Sequence, residues 1–154
     1  MGLSMVTPGI VIGGGRIGSY LWESNNKADL LLTHRDDVVS EGSGPIYVCT
    51  RNNDLEKIID TTPLSRRKDL VFLQNGYLSD YLTQKELSEN TQALVYFAVS
   101  KKGEKPIDGV TDLNPEGLTA VTGVWAGDLA ERLQKAGLTC HVYDKDTFTA
   151  AMVR

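Results

Sequence analysis

A cluster of glycines directly after the first strand-like run constrains this chain more than any other feature. Gly9-Ile10-Val11-Ile12 is short and rich in β-branched residues, the pattern of a strand buried on both faces. It runs into Gly13-Gly14-Gly15-Arg16-Ile17-Gly18, and from there Ile17, Tyr20 and Leu21 recur at helical spacing up to Ser24. In a strand–loop–helix unit of this kind the first glycine permits the tight turn. The second lets backbone amides approach a diphosphate, and the third lets the helix pack closely on the strand. The helix N-terminus adds unpaired amides and the positive end of its dipole. A second strand, Asp29-Leu30-Leu31-Leu32-Thr33, follows at the spacing of a dinucleotide-binding unit. The alternative is a glycine-rich turn with no ligand; the strand before and helix after argue against it.

The rest of the chain continues the alternation. Ile46–Thr50, Leu70–Leu73 and Ala93–Val99 read as further buried strands. Asp54 is expected to cap or open a helix carrying Leu55, Ile58 and Ile59 that Pro63 ends, and a polar helical segment is expected up to about Glu89. The rhythm changes after Ser100. Lys101–Pro106 is turn-rich, and Leu118–Gly123 alternates as a short antiparallel strand or hairpin would. Trp125, Leu129 and Leu133 mark a helix to Lys135 with Gly137 as its C-cap, then Leu138–Val142 is a last strand and Asp144 opens a last helix. The expectation is an α/β, Rossmann-type, doubly wound and mostly parallel sheet, with a short antiparallel hairpin near 101–123. Residues 1–154 form one dinucleotide-binding domain in this reading.

Cofactor choice turns on Thr33-His34-Arg35-Asp36-Asp37. A carboxylate at the end of the second strand accepts from the ribose 2′-hydroxyl of NAD, whereas an arginine there holds the 2′-phosphate of NADP. Arg35 comes first, and its planar fork suits a phosphate. The reading therefore favours NADP(H) over NAD(H), with Asp36 and Asp37 keeping the second open. Arg16 can add charge beside the phosphates, and His34 reads as an adenine-edge or surface residue, not a catalyst. Thr50, Arg51, Asn75 and Gly76 lie at strand ends on the carboxyl edge of the sheet, where open α/β sheets bind ligands. Asn75 can hydrogen-bond the nicotinamide ribose or a substrate oxygen, and Arg51 can face an anion. Asn-Gly is also an ordinary turn dipeptide, and Arg51 an ordinary surface charge. Ser100 and Lys101 share that edge on weaker grounds. Tyr20, Trp22, Tyr96 and Trp125 read as packing residues, Cys49 as a small apolar filler, and His141 as a strand histidine with no visible partner.

Net charge −4 argues against nucleic acid or an anionic membrane as partner. The two cysteines, Cys49 and Cys140, lack metal-ligand spacing and read as reduced thiols. Neither a secretory signal nor a bilayer-spanning run is recognisable. The expected location is the cytoplasm or an organelle interior.

The glycine loop, Arg35 and Phe72-Leu73-Gln74-Asn75-Gly76 together resemble the ketopantoate reductase (2-dehydropantoate 2-reductase) family, over most of the chain as its N-terminal, NADP-binding domain. The resemblance places Gly13, Gly15 and Gly18 on the family's dinucleotide loop. It places Arg35 on the 2′-phosphate arginine and Asn75 on the active-site asparagine. Arg51 stands where the family usually has lysine. Leu133–Arg154 is similar to the segment leading into the family's helical C-terminal domain. That domain carries the proton-donating lysine and substrate carboxylate, and nothing in this chain matches it. The resemblance thus implies the cofactor half of an oxidoreductase for a 2-keto or 2-hydroxy acid, catalytically incomplete as this chain. It implies a missing domain or a partner chain, and leaves a homodimer open. The second hypothesis is a non-enzymatic nucleotide-binding or sensing module. A complete short-chain reductase is discounted because the Tyr-x-x-x-Lys pair of those enzymes is expected to be absent.

Overall fold

Side chains alternate along each central strand between two apolar layers, and that alternation sets the architecture. In the computed structural model, the described residues are 9–13, 16–24, 29–32, 44–50, 52–73, 79–94, 97–98, 107–108, 119–135 and 140–152. They form β1 (Ile10–Ile12), α1 (Arg16–Ser24), β2 (Leu30–Leu32), β3 (Ile46–Val48), α2 (Leu55–Thr61), β4 (Leu70–Phe72), α3 (Ser79–Gln84) and β5 (Thr91–Leu94). There follow β6 (Phe97–Ala98), β7 (Ile107–Asp108), β8 (Ala120–Thr122), α4 (Ala126–Lys135), β9 (His141–Val142) and α5 (Lys145–Met152). Short 3-10 turns, Asn52–Asp54 and Leu64–Asp69, precede α2 and β4.

Seven strands make one sheet in the order β2-β1-β3-β4-β5-β8-β9. The first five are mutually parallel, β8 runs antiparallel to β5, and β9 is parallel to β8. Val11, Tyr47 and Val71 face one layer, packed under Leu21 of α1 and Leu129 and Leu133 of α4. Ile10, Ile12, Ile46, Val48, Leu70 and Phe72 face the other, under Leu55, Ile58 and Ile59 of α2 and Leu82 of α3. Because helices cover both faces, a central strand must be apolar throughout, which is why these runs read as continuous. Full burial of each such side chain contributes about 1.5–3 kcal/mol.

The mostly parallel Rossmann-like sheet agrees with the sequence reading, and so does an antiparallel element near residue 120. Several boundaries shift. The fifth strand begins at Thr91 and ends at Leu94, and Phe97–Ala98 pairs instead with Ile107–Asp108 in a separate two-stranded sheet. Thr91 is fully buried, and its hydroxyl accepts a hydrogen bond from the Trp125 amide at 2.8 Å. A satisfied polar residue inside a strand carries no apolar signal. The segment expected to be helical to Glu89 stops at Gln84, since Glu86 adopts a left-handed φ of 61° and the Leu87 amide bonds back to the Leu82 carbonyl at 2.7 Å. Asp54 sits in the 3-10 turn and makes no side-chain cap, so α2 opens without the expected device. The C-terminal end of α2 is closed by Thr62, directly before Pro63.

Candidate functional site

The chain order reverses once within the parallel strands. β2 lies on one side of β1, and β3, the next strand in sequence, lies on the other. At such a switch point the connections leave in opposite directions, and the carboxyl ends of the two strands border a crevice. Gly13 ends β1 there, and Cys49 and Thr50 end β3.

Gly13 has φ +108°, a conformation L side chains rarely adopt. A Cβ on it would come within 2.7 Å of the Cys49 carbonyl oxygen and 3.3 Å of Thr50 Cγ2. Its amide donates to the Leu32 carbonyl at 2.7 Å, continuing the β1–β2 ladder to the end of the strand. The Cys49 amide donates to the Ile12 carbonyl at 2.9 Å on the other side. Gly18, one turn into α1, is buried, and a Cβ on it would sit 1.8 Å from the Gly13 carbonyl oxygen and 3.3 Å from Cys49 Cβ. The first and third glycines of the loop thus do what the pattern requires of them: one turns the chain, the other lets α1 close on β1 and β3. The first turn of α1 has no acidic residue to oppose an anion at its N-terminus. A strand end without a side chain at Gly13, a helix seated closely on it and a first turn without acid are features that an anion at a helix N-terminus requires.

The structure brings Gly13, Ile17, Gly18 and Thr50 together at this edge, with Ile17 and Cys49 half-buried against the core under α1. The backbone of Arg16 begins α1. The Arg16 side chain, Gly14, Gly15, His34, Arg35, Arg51, Asn75, Gly76, Ser100 and Lys101 lie outside the described residues, as do Tyr96 and Gly137. Burial pushes the Cys49 thiol up to about 12, in keeping with a filler role.

A buried charged network is the feature that the sequence reading missed. Arg132 of α4 is 2% exposed. Its Nη1 and Nη2 donate to the Asp29 carboxylate at 2.7 and 3.0 Å, and its Nε to Asp128 at 2.8 Å. The Tyr47 hydroxyl donates to Asp128, and the Tyr47 ring lies 4.8 Å below the Arg132 guanidinium carbon. Desolvation works against the Arg132 charge, yet the hydrogen bonds it donates to Asp29 and Asp128 hold it above the ordinary guanidinium value. Burial holds the Tyr47 phenol well above its usual value. One signal was available: a tyrosine within a buried strand needs a partner for its hydroxyl. The network joins Asp29, directly before β2, and Tyr47 of β3 to Asp128 and Arg132 of α4, and so ties α4 to the sheet.

Two smaller readings are corrected. His141 does have a partner, because its ring stacks on Tyr143 with centroids 5.8 Å apart. A Tyr-x-x-x-Lys spacing is also present, at Tyr81 and Lys85. Its setting differs from an acid–base pair. Lys85 is engaged by Glu56 at 3.3 Å and Asp60 at 3.6 Å, and desolvation raises the Tyr81 phenol more than Lys85 lowers it. Among the described residues no group of His, Cys, Asp and Glu could hold a metal ion. None of their helices is long and apolar enough to cross a membrane.

Comparison with known proteins supports the fold. No family model matches the chain, and no curated protein matches it. Solved structures do. A D-mandelate dehydrogenase, in a ternary structure with NADH and anilino(oxo)acetate, matches with TM-score 0.56 and 17% identity, over 92% of this chain and 58% of that one. A PanE/ApbA-family ketopantoate reductase from Ralstonia eutropha JMP134 matches with TM-score 0.54 and 16% identity, over 88% and 56%. A dimeric ketopantoate reductase from Staphylococcus aureus matches with TM-score 0.50 and 14% identity, over 89% and 55%. The resemblance drawn from the motifs therefore holds at the level of fold. The chain spans little more than half the length of these structures.

Proposed function

We propose that this chain is the NADP(H)-binding half of an oxidoreductase resembling the ketopantoate reductases, acting on a 2-keto or 2-hydroxy acid. The observation that carries the reading is the seat of Gly18 against the Gly13 carbonyl at the β1–β3 switch, which brings the N-terminus of α1 to the strand ends. The shared fold of an NADH-bound dehydrogenase and two ketopantoate reductases supports it.

In this reading the amides of Gly14 to Ile17 bind the diphosphate, and Gly15 leaves it room. Arg35 holds the 2′-phosphate, helped by Arg16, and His34 borders the adenine. Thr50 and Gly76 line the carboxyl edge. Asn75 bonds the nicotinamide ribose or a substrate oxygen, and Arg51 faces an anionic substrate. The bound cofactor supplies or accepts the hydride. Reduction of a keto acid also needs a proton for the developing alkoxide, and this chain has no residue assigned to that task. The chain by itself accordingly binds cofactor with little turnover, and a further domain or partner chain supplies the acid.

Titration of the purified chain with NADPH and NADH, followed by cofactor fluorescence or heat, tests this. Tighter NADPH binding is expected, with negligible keto-acid reduction. Failure to bind either cofactor overturns the reading. Binding that no added domain or partner converts to turnover favours the second one, a nucleotide-sensing module. The length ratio to the matched structures suits either, since both require a companion.

A further inference from the structure

The register of β2 against β1 is not specified by its own side chains. The strand is Leu30-Leu31-Leu32, so a slip of one residue replaces leucine by leucine at two of three positions. Burial does not decide it either, because β2 ends the described sheet and Leu30 is 50% exposed. Asp29 supplies what the leucines lack. Its Oδ1 accepts from the Gly9 amide at 2.7 Å, while the Leu30 amide donates to the Gly9 carbonyl at 2.9 Å. The Trp22 indole donates to the Asp29 carbonyl at 2.9 Å. Arg132 then grips both carboxylate oxygens, with the two side chains 1% and 0% exposed. Only the register Ile10↔Leu30, Val11↔Leu31, Ile12↔Leu32 permits these bonds together.

We infer that Asp29, held by Arg132, is a positioning residue for cofactor selection: it fixes the β1–β2 register and so delivers Arg35, which follows β2 in sequence, to the cofactor's ribose. The inference rests on the reading of Arg35 given above. Asp29 stands at the amino end of β2, and in this inference it acts only through the strand it starts.

The test compares NADPH and NADH affinities in the full chain bearing Asp29→Asn, Asp29→Ala or Arg35→Ala. Either Asp29 change leaves Arg132 its Asp128 partner, so neither strands a buried cation. Asp29→Asn keeps an oxygen for the Gly9 amide and should preserve the NADPH-to-NADH affinity ratio. Asp29→Ala removes that acceptor and should lower the ratio about fivefold or more, the lower end of coupling between separate sites. A purely structural role predicts equal losses for both cofactors, and an unchanged ratio in Asp29→Ala overturns the inference. Should Asp29→Ala not fold, amide exchange in the unaltered chain and in Asp29→Asn decides. Gly9 and Leu30 should be protected like Val11, and rapid exchange at either in the unaltered chain refutes the pinned register. A ratio that falls in Arg35→Ala but not in Asp29→Ala defeats the positioning role alone. A ratio unmoved by Arg35→Ala defeats the cofactor reading and the selection role with it.

Discussion

Gly18 lies so close to Gly13 that a single methyl group on it would sit 1.8 Å from the Gly13 carbonyl oxygen. The obstacle is backbone at the end of a central strand, and no side chain can swing aside to relieve it. Gly18→Ala should therefore lower stability by about 1–3 kcal/mol, the usual cost of overpacking. The measurement is the urea midpoint at unchanged m. A midpoint equal to that of the unaltered chain would mean that α1 does not close on β1.

Gly15→Val separates cofactor binding from this packing. In the proposed site it fills the space of the diphosphate, so NADPH binding should be abolished. Binding as tight as in the unaltered chain would remove the loop from the site.

Arg35→Ala should weaken NADPH more than NADH, by about 1.5–3 kcal/mol for a lost charge-assisted contact. Parallel titrations of the two cofactors give the difference directly. Equal losses would end the case for NADP.

The strands, the glycine loop and the helices over both faces were legible because each advertises itself locally. Val11 and Ile12 point to opposite layers that are both apolar. The features that escaped depend on residues far apart in sequence. Asp29 and Arg132 are separated by 103 positions, and neither looks unusual in its own segment. Thr91 is polar yet strand-forming, because the turn at Trp125 satisfies it. Glu86 ends a helix by a backbone conformation normally left to glycine, which no pattern of apolar residues announces.

Arg132→Met removes the cation between two buried carboxylates and should cost about 3–5 kcal/mol, as expected when one side of a buried ion pair is deleted. Asp29→Asn should cost clearly less, since Arg132 keeps Asp128. Thermal or urea unfolding of the two variants side by side checks the order, and the reverse order would contradict the network.

The cysteines make an alkaline prediction. Burial lifts the thiols of Cys49 and Cys140 from 9.0 to about 12. Between those values the unfolded chain loses its thiol protons while the folded chain retains them. Stability is therefore intact below pH 9 and falls as pH rises toward 12. Cys140→Ala should flatten that fall, measured as the unfolding midpoint against pH. Both thiols should also resist alkylation at neutral pH until denaturant is added.

The reversal of direction at β8 decides at which edge of the sheet the chain enters its last helix. β1 to β5 rise toward the crevice, whereas β8 and β9 descend from it. The chain consequently enters α5 at the far edge, where Lys145 meets Glu89 just ahead of β5. There α5 packs against β8, and its eight residues span about 12 Å, so the last helix covers a strand that runs against the sheet's main direction.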